Sequence, residues 1–201
     1  MKKIFEFLLE LLVVFVGVFA AFQLNDYQQH RKDQQAKIKY YKTFRHELQL
    51  ISGDIRNLRD TINSIVDSYE KEISQGNRPP LVIHSGLFFQ GKAFVVESAF
   101  NDAHFTTLGQ EFIVSISRGA NLFYWIKDHL NEYQGRVKDL LYNTPYRNGQ
   151  FYEGSGLRPE YQWYLDELKM ISKLIGELIA SIEEGAIPAT DRLIDLEKLS
   201  E

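Results

Sequence analysis

The sequence contains no cysteine, which excludes disulfides, thiolate metal sites and cysteine nucleophiles together. The same absence suits a reducing or an oxidising compartment, so it does not locate the protein. Glu-x-x-His pairs, which carboxylate-bridged di-metal bundles need on facing helices, are also missing. The residues three positions before His30, His46, His84, His104 and His129 are Tyr27, Thr43, Leu81, Asn101 and Ile126. There is no His-Glu-x-x-His, no glycine-rich phosphate loop and no Gly-x-Ser-x-Gly elbow. Glu97 and His104, about two helical turns apart, form one conceivable pair. The expectation is nevertheless a protein that is not an enzyme and holds no metal or cofactor. Excess positive charge is lacking too: the net charge of -4 and the pI near 5.8 argue against a nucleic-acid partner, which normally needs a basic face to neutralise phosphates.

What is present is ordinary for a folded chain, 44% hydrophobic and 25% charged, which excludes wholesale disorder. The length suits one domain plus an anchor, divided here into residues 1–25 and 26–201. Charge is unevenly spread. From 26 to 60 bases outnumber acids by about three, and from 153 onward acids exceed bases by about six. The basic stretch would sit beside anionic lipid headgroups, or pair with acidic C-terminal helices folded back on it.

After Lys2 and Lys3, residues 4–24 form an apolar run of about 21 residues, which as a helix spans about 31 Å and matches a bilayer core. Val18-Phe19-Ala20 would suit a signal-peptidase site, but Glu6 and Glu10 and the helical sequence beyond Ala21 favour an uncleaved signal-anchor. Because a long downstream domain translocates largely regardless of charge, the N-terminus is placed in the cytoplasm. This predicts an inner-membrane protein whose bulk faces the periplasm. At 100° per residue, Glu6, Glu10, Gly17, Ala20 and Ala21 share an arc of about 100°. That stripe reads as a helix-packing face with small-xxx-small spacing, or as two headgroup-level carboxylates beside an incidental glycine.

No proline and only Gly53 interrupt residues 25–75, so the helix is expected to continue. Phe44, Leu48, Ile51, Ile55, Leu58, Ile62, Ile65 and Tyr69 alternate by four and three, a coiled-coil-like seam. Gly76 to Pro80 predicts its stop. Residues 81–91 read as irregular, with Phe88 and Phe89 packing. A short helix over 94–107, closed by Gly109, precedes a long helix with its seam from Ile113 to Leu140. Residues 143–158 are rich in glycine, asparagine and tyrosine and read as the principal loop. Pro159 then opens a helix with the seam Tyr161 to Ile182, ended by Gly185 and Pro188. A last short helix follows, capped by Thr190. Each stripe needs another to bury it, so the fold class is all-α: a transmembrane helix continuing into a long helix, with an antiparallel helical bundle.

The run from Glu10 through Gly17 to Gln23-Leu24-Asn25-Asp26-Tyr27, followed by Arg31, Tyr40-Tyr41 and Glu47-Leu48, resembles an uncharacterised family of small single-span, helical envelope membrane proteins of Gram-negative bacteria. The match covers roughly the first sixty residues, with Tyr27 where the family carries tryptophan. The resemblance implies an envelope membrane protein with a helical extramembrane part and brings no activity or catalytic residue.

One soluble segment has a binding-site composition. Between 142 and 164, Tyr146, Phe151, Tyr152 and Trp163 accompany Arg147 and Arg158. Aromatic faces with guanidinium groups suit a protein partner or a sugar ring, or the rings close the end of the bundle. The leading expectation is an interaction or assembly protein, in contact with membrane lipid and part of a homo-oligomer or membrane complex. The alternative is a periplasmic ligand-binding module using the aromatic loop.

Overall fold

The computed structural model describes the backbone of residues 2–88, 110–143 and 148–199, and side chains from residue 15 onward except at 110–112, 115, 148 and 149. The expected helix over 94–107 with its cap at Gly109, and Phe89, Glu97, His104, Tyr146 and Arg147, lie outside these residues. Helix α1, Lys2–Ser74, is unbroken. It lacks any proline that would remove an amide donor or strike the preceding turn. Its end is a glycine cap. Gly76 takes φ 84°, its amide donates to Ile73 at 3.0 Å, and the Asn77 amide donates to Glu72 at 2.9 Å.

The second helix, α2, is Gln110–Asn143. Helix α3, Trp163–Ala180, passes through a π segment, Ser181–Ala186, into α4, Ile187–Leu199. The described residues are predominantly helical, in keeping with an all-α class. They fall into two compact units, Met1–Thr43 with Arg192–Glu201, and Phe44–Asp191.

In the Phe44–Asp191 unit, α1 contributes Leu48, Ile55, Leu58 and Ile62 to the core, α2 contributes Phe123, Ile126, Leu130 and Val137, and α3 contributes Leu168, Ile171, Ile175 and Leu178. Polar pairs flanking this core fix the register. Glu70 meets Lys169 at 2.6 Å, Asn63 meets Ser172 at 2.6 Å, and Arg56 meets Glu183 at 2.6 Å. Numbers fall along α1 as they rise along α3, so the two helices are antiparallel. The α2–α3 pair is antiparallel as well, with Arg136 3.8 Å from Glu167 and Gly119 facing Leu178 and Ser181. The surface ion pairs contribute about 0–1 kcal/mol each, whereas each fully buried Leu or Ile contributes about 1.5–3 kcal/mol. The seam holds the unit and the pairs set its register.

Several expectations are corrected. The four-three alternation in α1 drifts, because a straight helix advances 3.6 rather than 3.5 residues per turn. Val66 is therefore buried where Ile65 is half-buried, and Ser52 is buried beside a half-buried Ile51. Gly185 and Pro188 do not end the third seam. Proline has no amide to donate, and the chain passes it by widening to a π turn in which the Ile187 amide bonds to Ile182, five residues back. Thr190 lies inside α4, fully buried, and donates to the Ala186 carbonyl at 2.7 Å instead of capping a new helix. Phe88 is exposed, while Leu81 and Leu87 pack.

The loop 143–158 also holds more order than expected: a 3-10 turn at Asn148–Phe151 and a two-stranded antiparallel hairpin. In the hairpin Tyr152 pairs with Leu157 and Glu153 with Gly156. Gly154 opens its two-residue turn at φ 64°, a conformation that glycine reaches without strain.

Of the smaller unit, Tyr41 and Ile194 are buried, Lys37 pairs with Glu197 at 3.3 Å, and the Gln34 amide donates to the Glu197 carbonyl. Among the described residues, no helix is long and apolar enough to cross a membrane. The side chains of 4–14, the first half of the expected span, lie outside them.

Candidate functional site

Two features stand out, one in each unit. In the smaller unit, Phe15, Val16, Val18, Phe19, Phe22 and Leu24 each leave more than half of their surface exposed, and Tyr27 follows them equally open. At 100° per residue these side chains cover about two-thirds of the circumference of α1 and leave an arc that holds Gly17 and Ala21. The exposure is thus wider than the single stripe of an amphipathic helix. Gly17 has nothing within 4 Å of the position a Cβ would take, and Ala20 and Ala21 are exposed beside it. The side chains of Glu6 and Glu10 lie outside the described residues.

In the larger unit, a buried aromatic knot closes the end of the bundle. The Tyr69 hydroxyl donates to the Pro80 carbonyl at 2.6 Å, and the Tyr164 hydroxyl donates to the Val82 carbonyl at 2.9 Å. Tyr164 also accepts the Val82 amide at 3.2 Å and lies 3.0 Å from His84 Nε2. Since the proton of Tyr164 is directed at a carbonyl, His84 Nε2 is the donor in this contact. Tyr152 donates to the Pro79 carbonyl at 2.5 Å. Burial raises the Tyr133 and Tyr164 phenols far above their ordinary range, pushes Tyr152 up to about 12, and lowers His84. Phenols this reluctant to ionise are poor acid-base groups at neutral pH. The knot therefore acts as a structural clamp, fastening residues 79–84 across α1 and α3.

The aromatic loop foreseen as a binding surface is largely spent on this closure. Phe151 and Tyr152 are buried, with Phe151 edge-on to Tyr161 at 5.1 Å. Arg158 Nε donates to the Tyr152 carbonyl at 3.2 Å, within its own hairpin. Trp163 is half-buried, with the Arg136 guanidinium over its ring at 4.0 Å. Phe151, Tyr152 and Arg158 are thus brought together, whereas Trp163 packs with Tyr133 and Arg136. The sequence reading placed Tyr69 in the seam of α1 but could not foresee the clamp, because Tyr69 bonds a main-chain carbonyl of a loop and His84 meets Tyr164, 80 residues away. The hairpin did have a signal, the two-residue turn Gly154-Ser155 between Tyr152-Glu153 and Gly156-Leu157.

Cavities offer little chemistry. A cavity of about 30 Å³ lies among Leu48, Ile51, Gly119, Phe123, Leu178 and Ile182, with room for about one water and none for an organic ligand. A groove of about 550 Å³ in the smaller unit is lined by residues of both charge signs, Arg31, Asp33, Lys37 and Glu197, of which Lys37 and Glu197 pair with each other. Among the described residues, no three His, Asp or Glu side chains gather as a metal-holding group. No family model, curated protein or solved structure matches this chain.

Proposed function

We propose that this chain is a membrane-anchored interaction or assembly protein, a subunit of an oligomer or of a larger envelope complex. In this reading residues 4–24 span the bacterial inner membrane, and the helical bundle is held on the periplasmic side. The observation that carries it is the broad apolar surface from Phe15 to Leu24, exposed over about two-thirds of the circumference of α1. Apolar surface costs about 25 cal/mol per Å² in water, so an uncovered face this wide favours lipid tails or other helices as its surroundings. The open position at Gly17 adds a place where a second backbone could approach closely. The ligand-binding alternative has less support, because Phe151 and Tyr152, two of the rings it needs, are inside the bundle.

The test is extraction of the tagged full chain from membranes, first with alkaline carbonate and then with mild detergent, followed by identification of what co-purifies. The expected result is retention through carbonate and a stoichiometric partner, or a second copy, in detergent. Release by carbonate would overturn the anchor. A monomer without partner at native expression would overturn the assembly role.

A further inference from the structure

We infer that the outward face of α1 formed by Arg31, Lys32, Lys39 and Lys42 is a contact surface for anionic lipid headgroups, strongest at the end nearest the apolar run. The inference rests on the membrane reading above. At 100° per residue these four cations fall within an arc of about 100°, together with Gln28, Gln35 and His46, and no acidic residue from 28 to 46 shares it. Asp26 and Asp33 lie on the opposite side. All four cations are exposed, and none has an ion-pair partner among the described residues.

The neighbouring cations differ. Lys37 is half-buried and engaged by Glu197, and Arg45 meets Asp191 at 2.6 Å. The basic segment is therefore sorted: one set pairs with acids near the C-terminal end of the chain, and the other is left open on a single face. That sorting leaves a face suited to a negatively charged occupant.

Lipid headgroups fit this occupant better than an acidic helix because of what precedes the stripe. Arg31 and Lys32 lie about 10–12 Å along the helix from Leu24, and side chains in an α-helix lean toward its N-terminus. Here that lean is toward the apolar run, so both cations reach back to the level where headgroups would lie. Tyr27, exposed and one turn before Arg31, occupies the interfacial position that aromatic residues favour, with the Arg31 guanidinium 6.0 Å from its ring. Lys39 and Lys42 are about 22–27 Å from Leu24, more than two Debye lengths at physiological salt. Their attraction to the surface is correspondingly screened. An acidic partner helix lying along the stripe would instead draw on all four cations alike.

The test uses the full chain reconstituted into phosphatidylcholine vesicles and into vesicles with roughly one-third phosphatidylglycerol, a composition that supplies the anionic surface potential. Flotation reports anchoring, and native mass spectrometry of the released protein reports which lipid it retains. The parent is expected to float with both vesicles and to retain phosphatidylglycerol preferentially. Arg31→Gln with Lys32→Gln should lower that preference about fivefold per cation, and Lys39→Gln with Lys42→Gln by roughly less than twofold. If the parent floats but retains both lipids equally, the headgroup surface is wrong and the anchor stands. Equal losses from the two double variants would also overturn it, in favour of a partner along the whole stripe. A parent that floats with neither vesicle would overturn the anchor and this inference together.

Discussion

The hydroxyls of Tyr69 and Tyr164 lie 3.1 Å apart inside the Phe44–Asp191 unit and between them engage the Pro80 carbonyl and both backbone groups of Val82. Two helices distant in sequence thereby hold one short segment that has no ladder of its own. An unmade buried hydrogen bond costs about 1–3 kcal/mol, so a clamp of this kind decides whether the segment stays folded.

Tyr164→Phe removes the hydroxyl from the centre of the clamp and leaves the Val82 groups unpaired. A loss of about 1–3 kcal/mol is expected in urea unfolding, with faster amide exchange over 80–84 than elsewhere. Tyr133→Phe is the control. Its hydroxyl bonds no backbone group of residues 79–84 and touches the clamp only through Tyr164, so its removal should cost less.

Acidification should loosen the same clamp. Burial lowers the His84 pKa below 6.5, so between its folded value and 6.5 the unfolded chain binds the extra proton. Stability therefore rises with pH across that window and is lost as pH falls through it. The groups facing the imidazole are the neutral phenols of Tyr69 and Tyr164. Urea midpoints measured from pH 7.5 to 5 should fall for the parent and flatten over that range for His84→Gln. Glu183 adds a separate decline on the acid side. The hydrogen bond from Ser52, and then the bond and charge of Arg56, hold its carboxyl below 4.5, so its contribution is lost as pH drops through that lower value.

Glycine replacements should separate three backbone situations. Gly53 is exposed within α1 with open space around it, and Gly53→Ala is expected to stabilise by about 0.5–1 kcal/mol. Gly176→Ala would bring a Cβ to 3.3 Å from the Arg59 guanidinium, so its gain should be smaller. Gly76→Ala forces a side chain into φ 84° and should cost about 1–2 kcal/mol. Thermal unfolding of the three variants reads out the order directly.

Gly17→Leu should leave the stability of the larger unit unchanged, since among the described residues nothing lies within 4 Å of a Cβ at that position. Under the assembly reading it should abolish close helix association, while Phe15→Leu leaves association intact. Crosslinking of both variants in the same mild detergent is the measurement. If Gly17→Leu associates as well as the parent, assembly does not depend on this face and must rest on the bundle.

Much of this architecture was legible from local rules. The absence of proline from 25–75 allowed one long helix, Gly76 and the following prolines set its end, and the seams of α2 and α3 matched the buried residues from Ile116 to Val137 and from Tyr164 to Ile182. These features depend on periodicity and on residues with few backbone options, which act the same way in almost any surroundings. The errors came where neighbours decide. Val66 displaced Ile65 because the partner helices fix which side of a drifting seam is covered. Pro188 failed to stop its helix because a π turn could absorb the lost donor.

The candidate surfaces divide in the same way. The apolar run, the basic segment after it and the aromatic-rich loop are compositional and could be read in one dimension. Which cations remain open was decided by tertiary structure, when Glu197 took Lys37 and Asp191 took Arg45 and left Arg31, Lys32, Lys39 and Lys42 on a bare face. Tertiary structure likewise turned Phe151 and Tyr152 inward, where their rings close the bundle. The physical reason is that sequence specifies which groups want partners, and only the folded chain determines which of them find one.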